Sequence, residues 1–140
     1  MKLKKKDLKL LITVLDGTNP RFTEARLRDR FLKLVLEEYK TSEGERIKIC
    51  ESLCVKDKDK KPVMKKIKDN NGNEVESYDF TPANLAKFEK ELNILQNEEV
   101  KLKLEGDEPK RLIKLIETTK YEPKYGEAEI IDNEIIANIK

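Results

Sequence analysis

The sequence predicts a mostly α protein with minor β content, built as an antiparallel helical hairpin with a small β-hairpin in its connection and additional short helices, in one domain over residues 1–140. Three observations predict it. At the start of a segment over 82–97, Thr81 is a good N-cap and Pro82 suits the first helical position, where its missing N–H has no intrahelical partner. Leu85, Phe88, Leu92 and Leu95 then recur at helical spacing, Ile94 widens the stripe, and Lys87, Glu89, Lys90, Glu91 and Asn97 lie off it. Between residues 20 and 55, Leu27, Phe31, Leu34 and Val35 form a second apolar stripe, and an antiparallel pairing covers both. Finally, Asn71-Gly72 stands between two short runs containing β-branched residues, a hairpin signal over 62–80. Phe31, Leu34, Phe88, Leu92 and Leu95 are the expected core.

Each remaining element has its own warrant. Over 8–16, Asp7 is placed to cap a helix, Leu8, Leu11, Ile12 and Leu15 share a face that Leu10 and Val14 extend, and Gly17 is placed to end it. The long helix over 20–55 follows the turn at Thr18-Asn19-Pro20. Gly44 costs a helix interior about 1 kcal/mol relative to alanine, yet Tyr39, Glu43, Ile47, Cys50 and Cys54 keep helical spacing across it, which favours continuity. Val100, Leu102 and Leu104 alternate with lysines and predict a strand over 99–104. Gly106 and Pro109 mark a turn into a helix over 108–118. For 128–139 the spacing of the isoleucines predicts a helix, with a strand as the alternative for so isoleucine-rich a segment.

Composition narrows the function classes. The 140 residues are 41% charged, but 30 basic residues stand against 28 acidic, and a net charge of +2 is too small to announce a nucleic-acid partner. The absence of histidine excludes serine–histidine and cysteine–histidine pairs and imidazole metal sites. Cys50 and Cys54 sit four apart in a helix, at most half of a zinc site, and read as small buried apolar residues. Asp69-Asn-Asn-Gly-Asn-Glu opens like a calcium loop, but its glycine is fourth rather than sixth and its twelfth residue is Phe80. No metal site, cofactor or catalytic set is therefore expected. The apolar run Leu10–Leu15 is shorter than a signal-peptide core and no run approaches a membrane span, so the expected place is the cytoplasm, without membrane association.

Two stretches remain as candidate contact surfaces. Lys58, Lys60, Lys61, Lys65, Lys66 and Lys68 lie in a lysine-rich segment that could meet an anion or nucleic acid, though a solvated loop is favoured because arginines and interleaved aromatics are lacking. Ile130, Ile131, Ile135, Ile136 and Ile139 exceed what a helical hairpin needs to cover and form a candidate partner surface, on a protein partner or a second copy. Seven acidic residues between Glu89 and Glu108 face three lysines, which reads as a solvated face.

Several segments carry a resemblance. The Glu45-Arg-Ile-Lys-Ile-Cys-Glu helix end, Lys58-Asp-Lys-Lys-Pro-Val, the Asn-Gly hairpin, Tyr78-Asp-Phe, the run Phe88 to Val100 and the amino-terminal Met-Lys-Leu-Lys-Lys-Lys-Asp-Leu together resemble small proteins of unknown function carried by phages of Gram-positive bacteria. The resemblance spans roughly the first 104 residues. It implies a phage or prophage origin, a host-cell location and no catalytic residues. The expected function is a non-enzymatic interaction protein working through apolar helix faces. The alternatives are an inhibitor of a host defence system that binds a host protein or an anionic small molecule, and a nucleic-acid-binding accessory protein using the lysine-rich segment.

Overall fold

The computed structural model describes every residue from Met1 to Lys140. In chain order the elements are β1 (Lys2–Lys4), a 3-10 turn (Lys5–Asp7), α1 (Leu8–Asp16), α2 (Phe22–Leu53), β2 (Met64–Lys68), β3 (Glu74–Tyr78), α3 (Pro82–Asn97), β4 (Glu99–Lys101), α4 (Glu108–Glu117), α5 (Glu127–Ile130), a π-helical segment (Ile131–Ile136) and α6 (Ala137–Ile139). The fold is mostly α, with two small antiparallel sheets of two strands each. Where the sequence reads as one domain, the chain divides into two units. The first is Met1–Ser42 with Gln96–Lys140, and the second is Glu43–Leu95.

In the first unit, β1 pairs antiparallel with β4, Leu3 opposite Val100, and the ladder is prolonged by bonds from Lys5 N–H to the Glu98 carbonyl and from Leu102 N–H to the Met1 carbonyl, both 2.9 Å. Leu3, Val100 and Leu102 point inward and are buried while Lys2, Lys101 and Lys103 stay in water, the period-two pattern of a half-buried sheet. Lys2 and Lys4 thus take the outward side of a strand, while Lys5, in the turn that follows, is paired with Glu98 at 2.6 Å. Leu8, Leu11, Val14 and Leu15 of α1 cover this sheet's core together with Phe31 and Val35 of α2, Leu112 and Ile116 of α4, and Ile131, Ile135 and Ile139 of the carboxy-terminal helix. Phe31 therefore packs in the first unit rather than against Phe88 and Leu92. Those two α3 residues are half-buried, and Leu34 lies at the margin of the first unit's core.

Two details of α1 differ from expectation. Asp7 precedes the helix but its side chain makes no capping bond, and it is buried instead. Gly17 has an ordinary right-handed φ of −77°, so its glycine is required by proximity rather than by conformation. Lys120 N–H donates to the Gly17 carbonyl at 2.9 Å, Thr119 Oγ1 donates to the Val14 carbonyl at 2.7 Å, and a Cβ on Gly17 would lie 2.5 Å from Thr119 Oγ1 and 3.0 Å from the Tyr121 nitrogen.

The second unit begins within α2, which runs unbroken through Gly44. In it β2 and β3 pair from Met64–Tyr78 to Lys68–Glu74, closed by a turn organised by Asp69, whose carboxylate accepts the N–H groups of Asn71 and Asn73 at 2.9 Å while Gly72 supplies φ +79°. The segment before it is built the same way. Asp57 accepts from Asp59 and Lys61, at 2.9 and 3.0 Å, and Lys60 takes the left-handed position at φ +63°. The base of the hairpin is anchored by Val55 N–H to the Asp79 carbonyl (2.7 Å) and Val63 N–H to the Val55 carbonyl (2.8 Å). Thr81 caps α3 through its hydroxyl to Asn84 N–H at 3.2 Å, and the Asn84 amide donates to the Leu53 carbonyl at 3.1 Å. Phe80 stacks on Phe88 with ring centroids 4.9 Å apart.

Candidate functional site

Burial separates the two units sharply. Of the 19 buried apolar side chains, only Cys50, Cys54 and Leu95 belong to residues 43–95. In the same 53 residues, Ile47, Met64, Ile67, Val75, Leu85 and Ile94 remain 38–52% exposed. Ile67 lies opposite Val75 in the hairpin register, on the face away from the Lys66–Glu76 and Lys68–Glu74 pairs. One face of the hairpin thus carries two opposite-charge pairs beside Met64–Tyr78, and the other carries the apolar pair Ile67–Val75 beside Lys65–Ser77. A full apolar side chain withdrawn from water contributes about 1.5–3 kcal/mol, and ordering one backbone residue costs about 1–2 kcal/mol. With so few side chains fully withdrawn, this unit belongs at the low-stability end of the molecule.

The lysines at 58, 60, 61, 65, 66 and 68 are all exposed, and the fold brings acids beside them. Lys66 and Lys68 stand opposite Glu76 and Glu74, and the Lys65 ammonium is 3.6 Å from the Asp79 carboxylate. Residues 56–79 carry seven lysines and six acids, so the positive excess of residues 56–68 is largely neutralised by β3 and the Asp69 turn.

The carboxy-terminal isoleucines are placed differently from a partner surface. Ile131, Ile135 and Ile139 are buried in the first unit's core, Ile136 packs against it, and Ile130 is half-buried. Their repeat every four residues lines one side of the terminal helix, and that side faces the chain's own α1, α2 and α4 residues.

Cys50 and Cys54 are free and buried. An Arg46 guanidinium nitrogen lies 3.8 Å from the Cys50 sulfur, and the Cys54 thiol is 3.6 Å from the Glu51 carbonyl. Burial pushes the Cys50 thiol up despite the opposing Arg46 charge, the reverse of what a nucleophilic cysteine needs. No group of three or more histidine, cysteine or acidic residues is placed to hold a metal ion.

A feature that the sequence reading passed over lies in the first unit. Five of the six arginines, at 21, 26, 28, 30 and 111, fall immediately before α2, in its first turns, or in α4. Two clefts meet there. One, of about 320 Å³, is lined by Asn19, Pro20, Arg21, Glu24, Arg111, Lys114, Leu115 and Thr118. The other, of about 250 Å³, is lined by Thr23, Arg26, Leu27, Arg30, Glu108 and Arg111. Arg111 is shared, and Glu24 Oε1 holds it through Nε at 2.8 Å and Nη2 at 2.5 Å, with Asp107 3.6 Å away. Arg30 is paired with Glu108, and Arg28 donates to the Thr18 carbonyl at 2.9 Å. Arg21 and Arg26 are exposed and carry no ion pair. Four of the five stand within residues 21–30, where Glu24 and Asp29 hold the local charge excess to two, and Arg111 joins them from 81 positions further along the chain.

No helix is long and apolar enough to cross a membrane. No protein family matches the chain, and neither does any curated protein or solved structure.

Proposed function

We propose that the chain is a non-enzymatic interaction protein of phage or prophage origin, and that residues 43–95 are the part that meets its protein partner. The burial contrast carries the reading: six large apolar side chains stay exposed in a unit that fully buries only three. Covering Ile67 and Val75 by a partner would add the apolar burial the unit lacks. The phage origin rests on the resemblance over roughly the first 104 residues. An inhibitor of a host defence system that acts by binding a host protein would use the same surface. The near neutrality of residues 56–79 weighs against capture of an anionic small molecule by the lysines.

The test is light scattering coupled to size-exclusion chromatography over a concentration range, followed by a pull-down from host extract, on the wild type and on Ile67→Asp with Ile94→Asp. A defined oligomer, or a specific retained host protein, that disappears in the double variant while its circular dichroism is unchanged supports the reading. A monomer at every concentration that retains the same proteins as the variant refutes it.

A further inference from the structure

Phe22 combines two unusual features in the first unit. It opens α2 at a left-handed φ of +52° and is 83% exposed. A left-handed backbone costs an ordinary L-residue about 1–2 kcal/mol, and leaving a phenyl ring in water forgoes the gain of burying it. The ring fills no core space in return, so nothing within the chain compensates for either. Backbone outliers of this kind concentrate where a ligand is met.

Its neighbours are the two clefts. Arg21, just before it, lines the first with Lys114 and Arg111, and Thr23, just after it, lines the second with Arg26 and Arg30. Glu24 and Glu108 occupy Arg111 and Arg30, which fixes those guanidinium groups, while Arg21 and Arg26 keep all their donors for solvent. The five cations of the clefts outnumber the carboxylates that meet them, Glu24, Glu108 and Asp107, by two, and the cations left without an ion pair are Arg21, Arg26 and Lys114. The residues 56–79 lack this imbalance.

We infer that this edge of the first unit binds single-stranded nucleic acid, with Arg21, Arg26 and Lys114 on successive phosphates and a base stacked on Phe22. Charge alone would accept any polyanion; the exposed ring selects one with unpaired, accessible bases. Guanidinium groups are suited to phosphate because their planar donors engage two oxygens at once. This site is separate from the protein-binding unit proposed above and does not depend on it.

The experiment is fluorescence anisotropy of a labelled oligothymidylate with the full-length protein, titrated with salt, beside a labelled duplex of equal length and a labelled acidic peptide. Three phosphates engaged give a slope near −2 in log affinity against log salt, with the duplex and the peptide bound more weakly. Arg21→Glu with Arg26→Glu weakens oligonucleotide binding at least tenfold and flattens the slope. Phe22→Ala weakens it about tenfold, within the range for loss of one stacked base. All these side chains are exposed, and unchanged melting temperatures establish that the variants fold. Absence of binding at low salt, duplex or peptide bound as tightly as the single strand, or arginine variants that bind like the wild type would each overturn the assignment. So would loss of binding on replacing Lys65, Lys66 and Lys68 with glutamate while Arg21 and Arg26 remain intact.

Discussion

Replacing glycine by alanine should act in opposite directions at two positions of this chain. At Gly44, in the middle of α2, an added methyl meets nothing within 4 Å and the backbone is helical. Alanine there restricts the unfolded chain and improves helix propensity, a stabilisation of about 1 kcal/mol. At Gly17 the backbone would accept alanine, but the new Cβ would lie 2.5 Å from Thr119 Oγ1, 3.0 Å from Tyr121 N and 3.3 Å from Tyr121 Cβ. The hydroxyl can rotate away only by giving up its 2.7 Å bond to the Val14 carbonyl, and the Tyr121 nitrogen is backbone. Overpacking of this kind typically costs about 1–3 kcal/mol, and a lost hydrogen bond adds about 1 kcal/mol. Gly17→Ala should therefore destabilise by about 2–4 kcal/mol. Urea unfolding followed by circular dichroism at 222 nm suits a chain without tryptophan. Because Gly44 lies in the second unit, local melting of that unit is followed separately by hydrogen exchange. If Gly17→Ala is as stable as the wild type, the close approach of residues 119–121 to the end of α1 is not what selects glycine there.

Other expectations follow from the same packing. Burial raises the Asp7 carboxyl; Lys6 and Lys4 oppose the rise, and the charge of Glu134 reinforces it. Because the folded value exceeds the unfolded one, the ionised group destabilises the native state at neutral pH, and this cost is relieved as pH falls through the raised value. Asp7→Asn should be more stable than the wild type at pH 7 and should remove that part of the acid-side gain; a variant less stable at pH 7 contradicts it. Ile135→Ala should cost about 2–5 kcal/mol of stability, read by urea unfolding, with no change in oligomeric state. A variant as stable as the wild type but with altered association would return the isoleucines to a surface role. Lys60→Gly should stabilise the second unit by up to about 1 kcal/mol, because the left-handed position would no longer carry a Cβ; slower local hydrogen exchange around residues 57–61 is the readout.

The strongest local signals in the sequence concern chain direction and helix starts. Thr81-Pro82 locates the start of α3, and Asn71-Gly72 locates the hairpin, because each needs only residues that are neighbours in sequence. The twin turn at 57–61 was hidden because a lysine sits where the later turn has glycine. The destination of each apolar stripe was less legible. Phe31 and Phe88 occur on comparable stripes, but residues 1–42 share a core with 96–140, a choice set by pairings such as Leu3 with Val100 that no local window contains. The arginine clefts were invisible for the same reason: Arg111 meets Glu24 across 87 positions. The lysine run stood out because its charges are consecutive, whereas the acids that neutralise it arrive on the returning strand.

The pairing of β1 with β4 also bears on what a cut in the chain would do. The tips at 57–61 and 69–73 are exposed turns of the sort proteases nick first. Such a nick would leave residues 2–4 on one fragment and residues 99–101 on the other, and the core that holds them draws Leu8, Phe31 and Val35 from the first fragment and Leu112, Ile116 and Ile135 from the second. Cleavage within 43–95 would therefore yield two pieces that remain clasped, migrating as one species until a denaturant separates them. The same arrangement would let two separately synthesised halves, split at either tip, complement each other into a folded whole.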